Sequence, residues 1–437
     1  MQGMIDLNKY YRRIVESEPI LVRGKVKKIV GLVVEGAGVK AAVGDVCEIV
    51  TSDKKIEAEV IGFKENMLLL MPFGEIRGVL PGSEILHLER RATVGVGKGL
   101  LGRIINALGE PLDDKGGIKI EEEYQLYALS SNPLERIPID TPLDVGIRSI
   151  NGLLTLGKGQ RIGIFSGSGV GKTTLLGMMV RNAEADVKVV ALIGERGREV
   201  RDFVEKHIKN AMNKTVLVVA TSDQPPLLRM RGAFVATAIA EYFRDQGKDV
   251  LLIMDSLTRF AMAQRELGLS AGEPPTTKGY TPSVFATLPK LLERAGYWQK
   301  GSITALYTVL VEGDDMSDPI ADASRAILDG HIILARELAR QNHYPPIDIL
   351  NSVSRVMPDI VDQKHLYLAN EFRDALAAYK SAEDLINIGA YVKGSNPRID
   401  RSLELIEKLR TYLKQDMNEK VSFEKSIEQL QEIFYEI

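Results

Sequence analysis

One glycine-rich stretch limits the possible folds of this chain more than any other part of its sequence. Residues 161–176 read RIGIFSGSGVGKTTLL: a short apolar run, a glycine loop, Lys-Thr-Thr and the start of an apolar helical pattern. This order is typical of a phosphate-binding P-loop, because backbone N–H groups and the helix N-terminus can surround phosphate oxygens. Ser166 stands where the motif usually has its first glycine, and serine is small enough for that place. The stretch therefore predicts a nucleotide phosphate site.

The motif also predicts what individual residues do. We expect the Lys172 side chain to bridge the β- and γ-phosphates and the Thr173 hydroxyl to bind Mg²⁺. A glycine turn that precedes a lysine by chance is the competing interpretation, and the flanking strand and helix disfavour it. The predicted nucleotide-binding residues of the loop are Gly167, Ser168, Gly169, Val170, Gly171, Lys172, Thr173 and Thr174.

Chain length and composition narrow the class of protein. The 437 residues are enough for about two or three domains. A formal net charge of -3 does not favour nucleic acid or a membrane surface as the main partner. Cys47 is the only cysteine, which excludes an intrachain disulfide and a cysteine metal cluster. The N-terminus is charged where a secretory signal would be apolar, and no apolar run could span a bilayer, so we expect a cytoplasmic protein.

Hydrophobic patterns divide the chain into four parts. Residues 1–19 predict a helical docking segment, although a frayed, loosely packed terminus fits them as well. Residues 20–93 contain short apolar runs between glycine turns and predict a small β-barrel. Residues 94–358 hold a connector and then alternating strands and helices, while residues 359–437 show only helical spacing. The expected fold class is an α/β P-loop (RecA-like) core with an N-terminal small β-barrel and a C-terminal helical domain.

Two carboxylates follow buried strands of the predicted sheet. Asp255 ends the apolar run VLLIM, and that position holds Mg²⁺ in P-loop enzymes; alternatively it caps the following helix. Glu195 follows another strand and could orient water for attack on the γ-phosphate. It could equally belong to a surface salt-bridge cluster with Arg196, Arg198 and Glu199. Spacing alone leaves these two interpretations of Glu195 open.

Two arginines and one tyrosine complete the predicted site. Arg259, one helical turn beyond Asp255, could reach the phosphates bound by its own chain. Arg355, in NSVSRVMPD, could reach the γ-phosphate of a neighbouring protomer as an arginine finger if protomers form a ring. Tyr344, in HYPPID, has an aromatic face suitable for stacking on adenine, although a lone tyrosine is more often part of a core.

Over nearly the whole chain these motifs resemble the catalytic subunits of the rotary ATPase superfamily, including the connector GRIINALGEPLD. The sequences VEGDDM, and LLGMM after the P-loop, are most similar to the flagellar export ATPase, and the secretion ATPases of virulence injectisomes share most of the rest. The stretches that look like type III secretion ATPases are FSGSGVGKTTLLGMM, LIGERGREVRDFVE, MDSLTRFAMAQRELGLSAGEPPTTKGYTPSVF, YTVLVEGDDMSDPIADASRAILDGHI and NSVSRVMPDIV.

The resemblance implies roles for several residues. Glu195 matches the family's catalytic carboxylate, Arg355 its trans arginine finger and Tyr344 its adenine-stacking aromatic. Tyr412 falls where rotary subunits place a second aromatic of the adenine pocket. The acidic loop with which the synthase β-subunit contacts its shaft is replaced by GAYVKGSNPRID, residues 389–400, which implies a different central partner.

The implied machine is a homohexamer that binds ATP and Mg²⁺ between protomers and lies peripherally at the inner face of the cytoplasmic membrane. The implied partners are a membrane export gate, a peripheral-stalk regulator, a central coiled-coil shaft protein and export chaperone–substrate complexes, with no nucleic acid. Two alternatives of other classes stay open. One is a nucleotide-binding scaffold subunit without turnover; the other is an RNA-translocating hexamer, which the lack of an aromatic-basic RNA motif in residues 20–93 disfavours.

Overall fold

The computed structural model describes Tyr11 and residues 22–128, 132–311, 313 and 315–435. The predicted N-terminal docking segment lies outside the described residues except for Tyr11. The chain separates into two compact units: one runs to Thr93 and includes Ser270–Glu273, and the other holds Val94–Leu269 and the chain from Pro274 onward. The finer four-part division stays a prediction.

The first unit is built on a closed antiparallel barrel. Its strands are β1 (Arg23–Val30), β2 (Val33–Ala37), β3 (Asp45–Val50), β4 (Lys55–Lys64), β5 (Met67–Pro72) and β6 (Glu84–Arg91). They pair in the order β1-β2-β5-β4-β3-β6, and β1 closes the ring by pairing with β6. Alternate apolar side chains point inward, so that Val34, Ile49, Leu70 and Ile85 are fully buried. This arrangement confirms the predicted small barrel.

The second unit is organised around one large, mostly parallel sheet. The strands of this unit are β7 (Thr93–Val96), β8 (Ile104–Asn106), β9 (Glu122–Gln125), β10 (Pro142–Leu143), β11 (Leu156–Gly157), β12 (Arg161–Ser166), β13 (Val187–Ile193), β14 (Thr215–Ala220), β15 (Asp249–Asp255), β16 (Gly296–Trp298), β17 (Gly301–Leu310), β18 (Gly330–Leu334) and β19 (Val353–Ser354). Two short pairs, β7 with β9 and β10 with β11, are separate from the large sheet. The sheet has the order β19-β18-β12-β17-β15-β13-β14-β8, and β16 pairs with β17. Only β16 and β19 run antiparallel to their neighbours.

Helices cover this sheet and form the C-terminal region. They are α1 (Arg148–Leu153), α2 (Lys172–Asn182), α3 (Gly197–Asp202), α4 (Pro226–Asp245), α5 (Leu257–Ser270), α6 (Pro282–Leu292), α7 (Pro319–Ile327), α8 (Arg336–Arg340), α9 (Met357–Ile360), α10 (Gln363–Asn387), α11 (Pro397–Leu413) and α12 (Phe423–Tyr435). A π-helical turn, Phe203–Ile208, continues α3. None of the helices in the described ranges has the length and apolar character needed to cross a membrane.

One hydrophobic core joins the sheet to the C-terminal helices. Leu175 and Leu176 of the P-loop helix α2 pack in the same buried cluster as Phe372 of α10 and Leu409 of α11. The central strands are apolar on both faces because helices cover both sides of a parallel sheet. Together the barrel, the parallel sheet and the helical region confirm the predicted fold class.

Three elements differ from the sequence-based expectation. The connector, predicted from residues 94–151, contributes β8, an edge strand of the large sheet. The strand β18 was missed, although it lies directly beside the P-loop strand β12. Apolar spacing predicts two separate helices over residues 366–379 and 382–388, whereas the structure has the single helix α10.

Candidate nucleotide site at the carboxyl end of the central sheet

Adjacent strands deliver the predicted site residues to one edge of the sheet. The P-loop follows β12, Asp255 is the last residue of β15, and Glu195 lies two residues beyond β13. In the sheet order β12, β17, β15 and β13 are consecutive neighbours. Because the strands are parallel, their carboxyl ends share one edge, where ligands of open α/β sheets bind. The structure thus brings Lys172, Asp255 and Glu195 together.

The P-loop itself has the conformation that its glycines allow. Gly171 has φ 97° and precedes the first residue of α2, a left-handed conformation that favours glycine. Ser166 is buried and its carbonyl accepts a hydrogen bond from the Val311 N–H at 3.0 Å, so serine is accommodated at the motif's first position. Ser168 and Thr173 are exposed. The loop and the first turn of α2 therefore present an open surface of backbone and hydroxyl groups.

The Lys172 ammonium is held by two carboxylates. Its Nζ forms a close ion pair with Asp255 Oδ1 and lies 3.8 Å from Glu195 Oε1. All three side chains are largely buried, with 11%, 5% and 16% of their surfaces exposed for Lys172, Asp255 and Glu195 respectively. Low exposure strengthens such pairs relative to surface ones. The carboxylates neutralise the ammonium where the motif predicts phosphate oxygens.

The geometry disfavours the helix-cap interpretation of Asp255, and its Mg²⁺ role stays a prediction. The cap of α5 is Ser256, whose Oγ accepts a hydrogen bond from the Arg259 N–H at 3.2 Å. Asp255 Oδ1 instead faces Lys172 and accepts a hydrogen bond from Thr308 Oγ1 at 2.7 Å. Sequence reasoning missed Thr308; the available signal was a hydroxyl inside the otherwise apolar strand β17.

The surface-cluster interpretation of Glu195 does not fit the structure. Arg198 is 92% exposed and points to Asp202, 3.9 Å away, whereas Glu195 faces Lys172 and hydrogen-bonds with Glu199. Burial first, then this hydrogen bond and the charge of Asp255, raise the pKa of the Glu195 carboxyl to about 8. The same hydrogen bond holds the pKa of Glu199 below its usual value. Glu195 therefore holds a proton more readily than an exposed carboxyl does.

Arg259 lies beside the P-loop. Its side chain packs on Gly194, so that a Cβ at Gly194 would come within 2.9 Å of Arg259 Cβ. Its Nε has no hydrogen-bond partner among the described residues. Arg259 and Ser168 line the same cavity of about 450 Å³. Arg259 is thus close to the P-loop, and its Nε–H is available to donate a hydrogen bond to a ligand.

The two tyrosines differ in position. Tyr344 is 44% exposed, and a Cβ placed on Gly171 would stand 3.4 Å from Tyr344 Cε1, which puts the ring next to the P-loop. Tyr412 is 4% exposed, its ring packs on Phe372 with centroids 5.4 Å apart, and its hydroxyl donates to the Ser426 carbonyl at 2.9 Å. The assignment of Tyr412 to the adenine pocket is therefore wrong, because its ring has no free face to offer.

Arg355 lies near the amino ends of the parallel strands, opposite the end that carries the P-loop. Its backbone N–H donates to the Asp329 carbonyl, and the Asp329 N–H donates to the carbonyl of Arg161, the first residue of β12. The P-loop begins after the last residue of β12, about 17 Å away at roughly 3.3 Å per residue. The Arg355 side chain is exposed and donates to the Leu328 carbonyl at 3.2 Å. An arginine cannot span this distance, so Arg355 is excluded from the site of its own chain.

The donor set at the sheet edge fits Mg²⁺. Thr173 and Asp255 offer oxygen ligands, which hard divalent cations prefer. No group of three or more His, Cys, Asp and Glu side chains within the described part of the chain could hold a metal ion. Mg²⁺ is usually held by one or two protein oxygens together with substrate phosphates, so a sparse donor set is what such a site needs.

Comparison with known proteins agrees with this site. The model for the nucleotide-binding domain of the ATP synthase alpha/beta family matches residues 146–354, and the model for its beta-barrel domain matches residues 26–89. The model for the C-terminal domain of the type III secretion ATPase EscN matches residues 361–432.

Relatives that align with almost the whole chain indicate the same family. The chain is 53% identical over 408 residues to the flagellum-specific ATP synthase of Bacillus subtilis, covering 92% of this chain and 93% of that protein. It superposes on the assembled ATPase EscN of the enteropathogenic E. coli type III secretion system with a TM-score of 0.90 and 48% identity, over 94% of this chain and 99% of EscN.

EscN has also been solved in complex with its central stalk EscO. That structure matches with a TM-score of 0.88 and 47% identity, over 94% of this chain and 99% of that one. Identity at this level along almost the full length, together with the P-loop geometry, establishes the family. The chain is an ATPase that belongs to the ATP synthase alpha/beta family, among its flagellum-specific and type III secretion members.

Proposed function

We propose that this chain hydrolyses Mg²⁺-ATP to power flagellar type III protein export, by unfolding export substrates or releasing them from chaperones at the export gate. The observation that carries the proposal is the buried set of Lys172, Asp255 and Glu195 in a chain 53% identical to a flagellum-specific ATP synthase. A lysine, a metal-binding carboxylate and a water-orienting carboxylate at one sheet edge are the parts that P-loop ATP hydrolysis needs.

Each residue has a separate part in the proposed reaction. Lys172 leaves its carboxylate partners and binds the β- and γ-phosphates, while backbone groups of residues 167–174 surround them. Thr173 and Asp255 would hold Mg²⁺, which would supply positive charge to neutralise the phosphate oxygens. Glu195 in its ionised form orients the attacking water, and Arg259 donates to the phosphates from the same chain. Tyr344, exposed beside Gly171, stacks on adenine.

The site is completed by a second protomer. Arg355 is exposed and lies beside the first residue of β12, at the strand end opposite its own P-loop, and we infer that it serves as the finger for a neighbour's γ-phosphate. Such a contribution from every chain to the next requires a closed ring, and we propose a homohexamer. An arginine finger stabilises the charge of the transition state and is worth roughly 10³–10⁵ in rate.

One proposed partner is supported by a relative, and the others are implied by the family resemblance. EscN binds its central stalk EscO, and we propose a coiled-coil shaft protein in the pore of this ring, contacted by residues 389–400. A peripheral-stalk regulator would bind at the N-terminal segment, and chaperone–substrate complexes and the export gate would engage the ring at the inner face of the cytoplasmic membrane. Protein export by a virulence injectisome is the second candidate, favoured by the match to EscN.

One experiment separates these possibilities. The gene in the source bacterium is replaced by a Glu195→Gln version, and export of flagellar hook and filament proteins is measured alongside ATP turnover of the purified chain. We expect both to be lost, with other secreted proteins unaffected. Normal flagellar export with loss of injectisome effectors would contradict the flagellar assignment. Absence of ATP turnover by the unmodified purified chain at any ATP concentration would indicate a scaffold subunit instead.

A further inference from the structure

A second cavity lies at the amino edge of the sheet, away from the nucleotide site. Its volume is about 570 Å³, and it is bordered by the end of α2 and by the starts of β13, β14 and β15. Along β13 the amino edge is roughly 17 Å from the carboxyl edge, at about 3.3 Å per residue. Five of its lining residues are cationic and three are acidic: Lys158, Arg181, Lys188, Lys214 and Lys420 against Glu184, Asp186 and Asp249. The lining thus carries an excess of positive charge.

Two of the three acids already have cationic partners. Asp249 forms an ion pair with Lys158 at 2.6 Å and also accepts a hydrogen bond from Ser302. Glu184 lies 3.6 Å from the Lys420 ammonium. The third acid, Asp186, accepts a hydrogen bond from the Asp249 backbone N–H at 3.0 Å. The three acids therefore leave little negative charge to pair with Arg181, Lys188 and Lys214.

Arg181 and Lys214 have no carboxylate partner in the part of the chain that the structure describes. The guanidinium of Arg181 donates to the backbone carbonyls of His207 at 2.6 Å and Met417 at 2.5 Å, which satisfies its donors without neutralising its charge. Lys214 is exposed at the rim of the cavity. Both charges add to the positive potential inside.

Lys188 is the residue that makes this cavity unusual. It is the second residue of β13, is 5% exposed, and is the only charged residue in a strand that is otherwise buried and apolar. Its ammonium forms no hydrogen bond or ion pair with any described residue. Burial, and then the positive charges of Lys214 and Lys420, lower the pKa of Lys188 to about 8. A largely buried lysine whose charge has no acidic partner is costly, and an anion in the cavity would reduce that cost.

We propose that this cavity is a second anion site that binds a phosphate group, with Lys188 at its floor and Lys214 and Lys420 at its rim. A doubly charged oxyanion matches the charge excess of the lining better than a chloride or a single carboxylate does. Several convergent lysines are a common way of binding phosphate as a point charge. The group would come either from inorganic phosphate or from a small phosphomonoester, since the volume admits both. The inference is independent of the proposed export function.

The test measures thermal stabilisation of the full-length chain by phosphate. A Lys172→Ala background removes the phosphate grip of the P-loop, and sodium chloride of equal ionic strength corrects for screening. At a tenfold excess over the dissociation constant we expect the midpoint of unfolding to rise by about 2 °C. Adding Lys188→Met, which keeps most of the unbranched side chain without its charge, should abolish the rise. Adding Lys290→Met, at an exposed lysine of α6, is the matched control and should leave it intact.

A second measurement does not depend on changing a buried residue. The ³¹P line width of phosphate is recorded with the Lys172→Ala chain and with the same chain carrying Lys214→Met and Lys420→Met at its exposed rim. Broadening that is lost in the rim variant supports the site, and replacement of inorganic phosphate by glycerol 3-phosphate identifies which source binds more tightly. A stabilisation that is absent from the Lys172→Ala chain, or that survives Lys188→Met unchanged, would overturn the proposal.

Discussion

Two largely buried lysines lie at opposite ends of the parallel strands of one sheet, and only one of them has acidic partners among the described residues. Lys172 at the carboxyl edge faces both Asp255 and Glu195. Lys188 at the amino edge faces a cavity and has no acidic partner among the described residues. A buried ammonium needs a counter-charge either from the protein or from a ligand. Lys172 has its counter-charge from the protein, and the proposed phosphate would supply that of Lys188.

The difference has a consequence for nucleotide binding. With both carboxylates ionised, the group of Lys172, Asp255 and Glu195 carries one net negative charge, which would repel a polyphosphate. Two changes relieve this repulsion: a divalent cation on Asp255, or a proton on Glu195, whose pKa is already about 8. The site is therefore preorganised for a phosphate that arrives with its metal ion, while the cavity at Lys188 suits an anion alone.

The largest expected effect sharpens this contrast. Lys172→Ala should reduce ATP turnover to background, because the β- and γ-phosphates lose their only lysine ligand in the predicted site. Lys188→Met should leave turnover within about twofold, since Lys188 is at the far edge of the sheet. Steady-state phosphate release measures both variants. Similar losses in the two variants would show that the edges are not independent.

The next effect tests the role of Glu195. Glu195→Gln keeps the size of the side chain but removes its charge, and we expect kcat to fall by about 10²–10⁴. Binding of a fluorescent ATP analogue should be retained, because Lys172 keeps Asp255 and gains freedom to meet phosphate. Unchanged kcat in this variant would remove Glu195 from the mechanism.

A smaller effect is expected from the hydroxyl that supports Asp255. Thr308 Oγ1 donates to Asp255 Oδ1 at 2.7 Å inside the sheet. Thr308→Val removes this hydrogen bond, worth about 1 kcal/mol, and should lower kcat/KM roughly fivefold with a higher Mg²⁺ requirement. Thr308→Ser is the matched control because it keeps the hydroxyl. Equal activities of the two variants would argue that the hydrogen bond does not position Asp255.

The smallest effect concerns pH. The pKa of Glu195 is raised in the folded chain, so the folded state binds a proton more tightly than the unfolded state. The contribution of Glu195 to the free energy of unfolding of the nucleotide-free chain should therefore decrease as pH rises from about 5 to about 8. The pKa of Glu199 is lowered, so its contribution is lost only below the usual range of a carboxyl and lies outside this window.

Urea unfolding of the unmodified chain and of Glu195→Gln, at several pH values without nucleotide, measures this contribution. The glutamine cannot titrate, so the stability difference in favour of Glu195→Gln should grow with pH across the window. A difference that stays constant from pH 5 to pH 8 would show that Glu195 titrates elsewhere.

Much of the architecture was predictable from sequence because its strands are long and apolar. The strands β12, β13, β15 and β17 were all predicted, and with them the edge where Lys172 and Asp255 meet. The strand β18 was not, because GHIIL runs directly into the helical pattern ARELAR and a short apolar run fits either element. Sequence suggested a break near Ser381, but α10 continues through this residue, and the Ser381 hydroxyl donates to the Ala378 carbonyl at 2.8 Å.

Contacts between strands could not be read from the sequence. Thr308 and Asp255 are 53 residues apart, and only the strand order places β17 between β12 and β15. The cavity beside Lys188 likewise depends on which strand ends and loops meet there. For Tyr412 the family resemblance implied an adenine-pocket aromatic, but the ring is packed in the helical core.

The central claim is that each nucleotide site is built from two protomers, with Lys172 and Glu195 on one and Arg355 on the other. The most direct test mixes two inactive chains, Lys172→Ala and Arg355→Ala, and measures ATP turnover over a range of ratios. A shared site predicts that activity returns in the mixture, because some interfaces then combine an intact P-loop with an intact finger. No return of activity at any ratio, in mixtures shown to assemble together, would contradict the account.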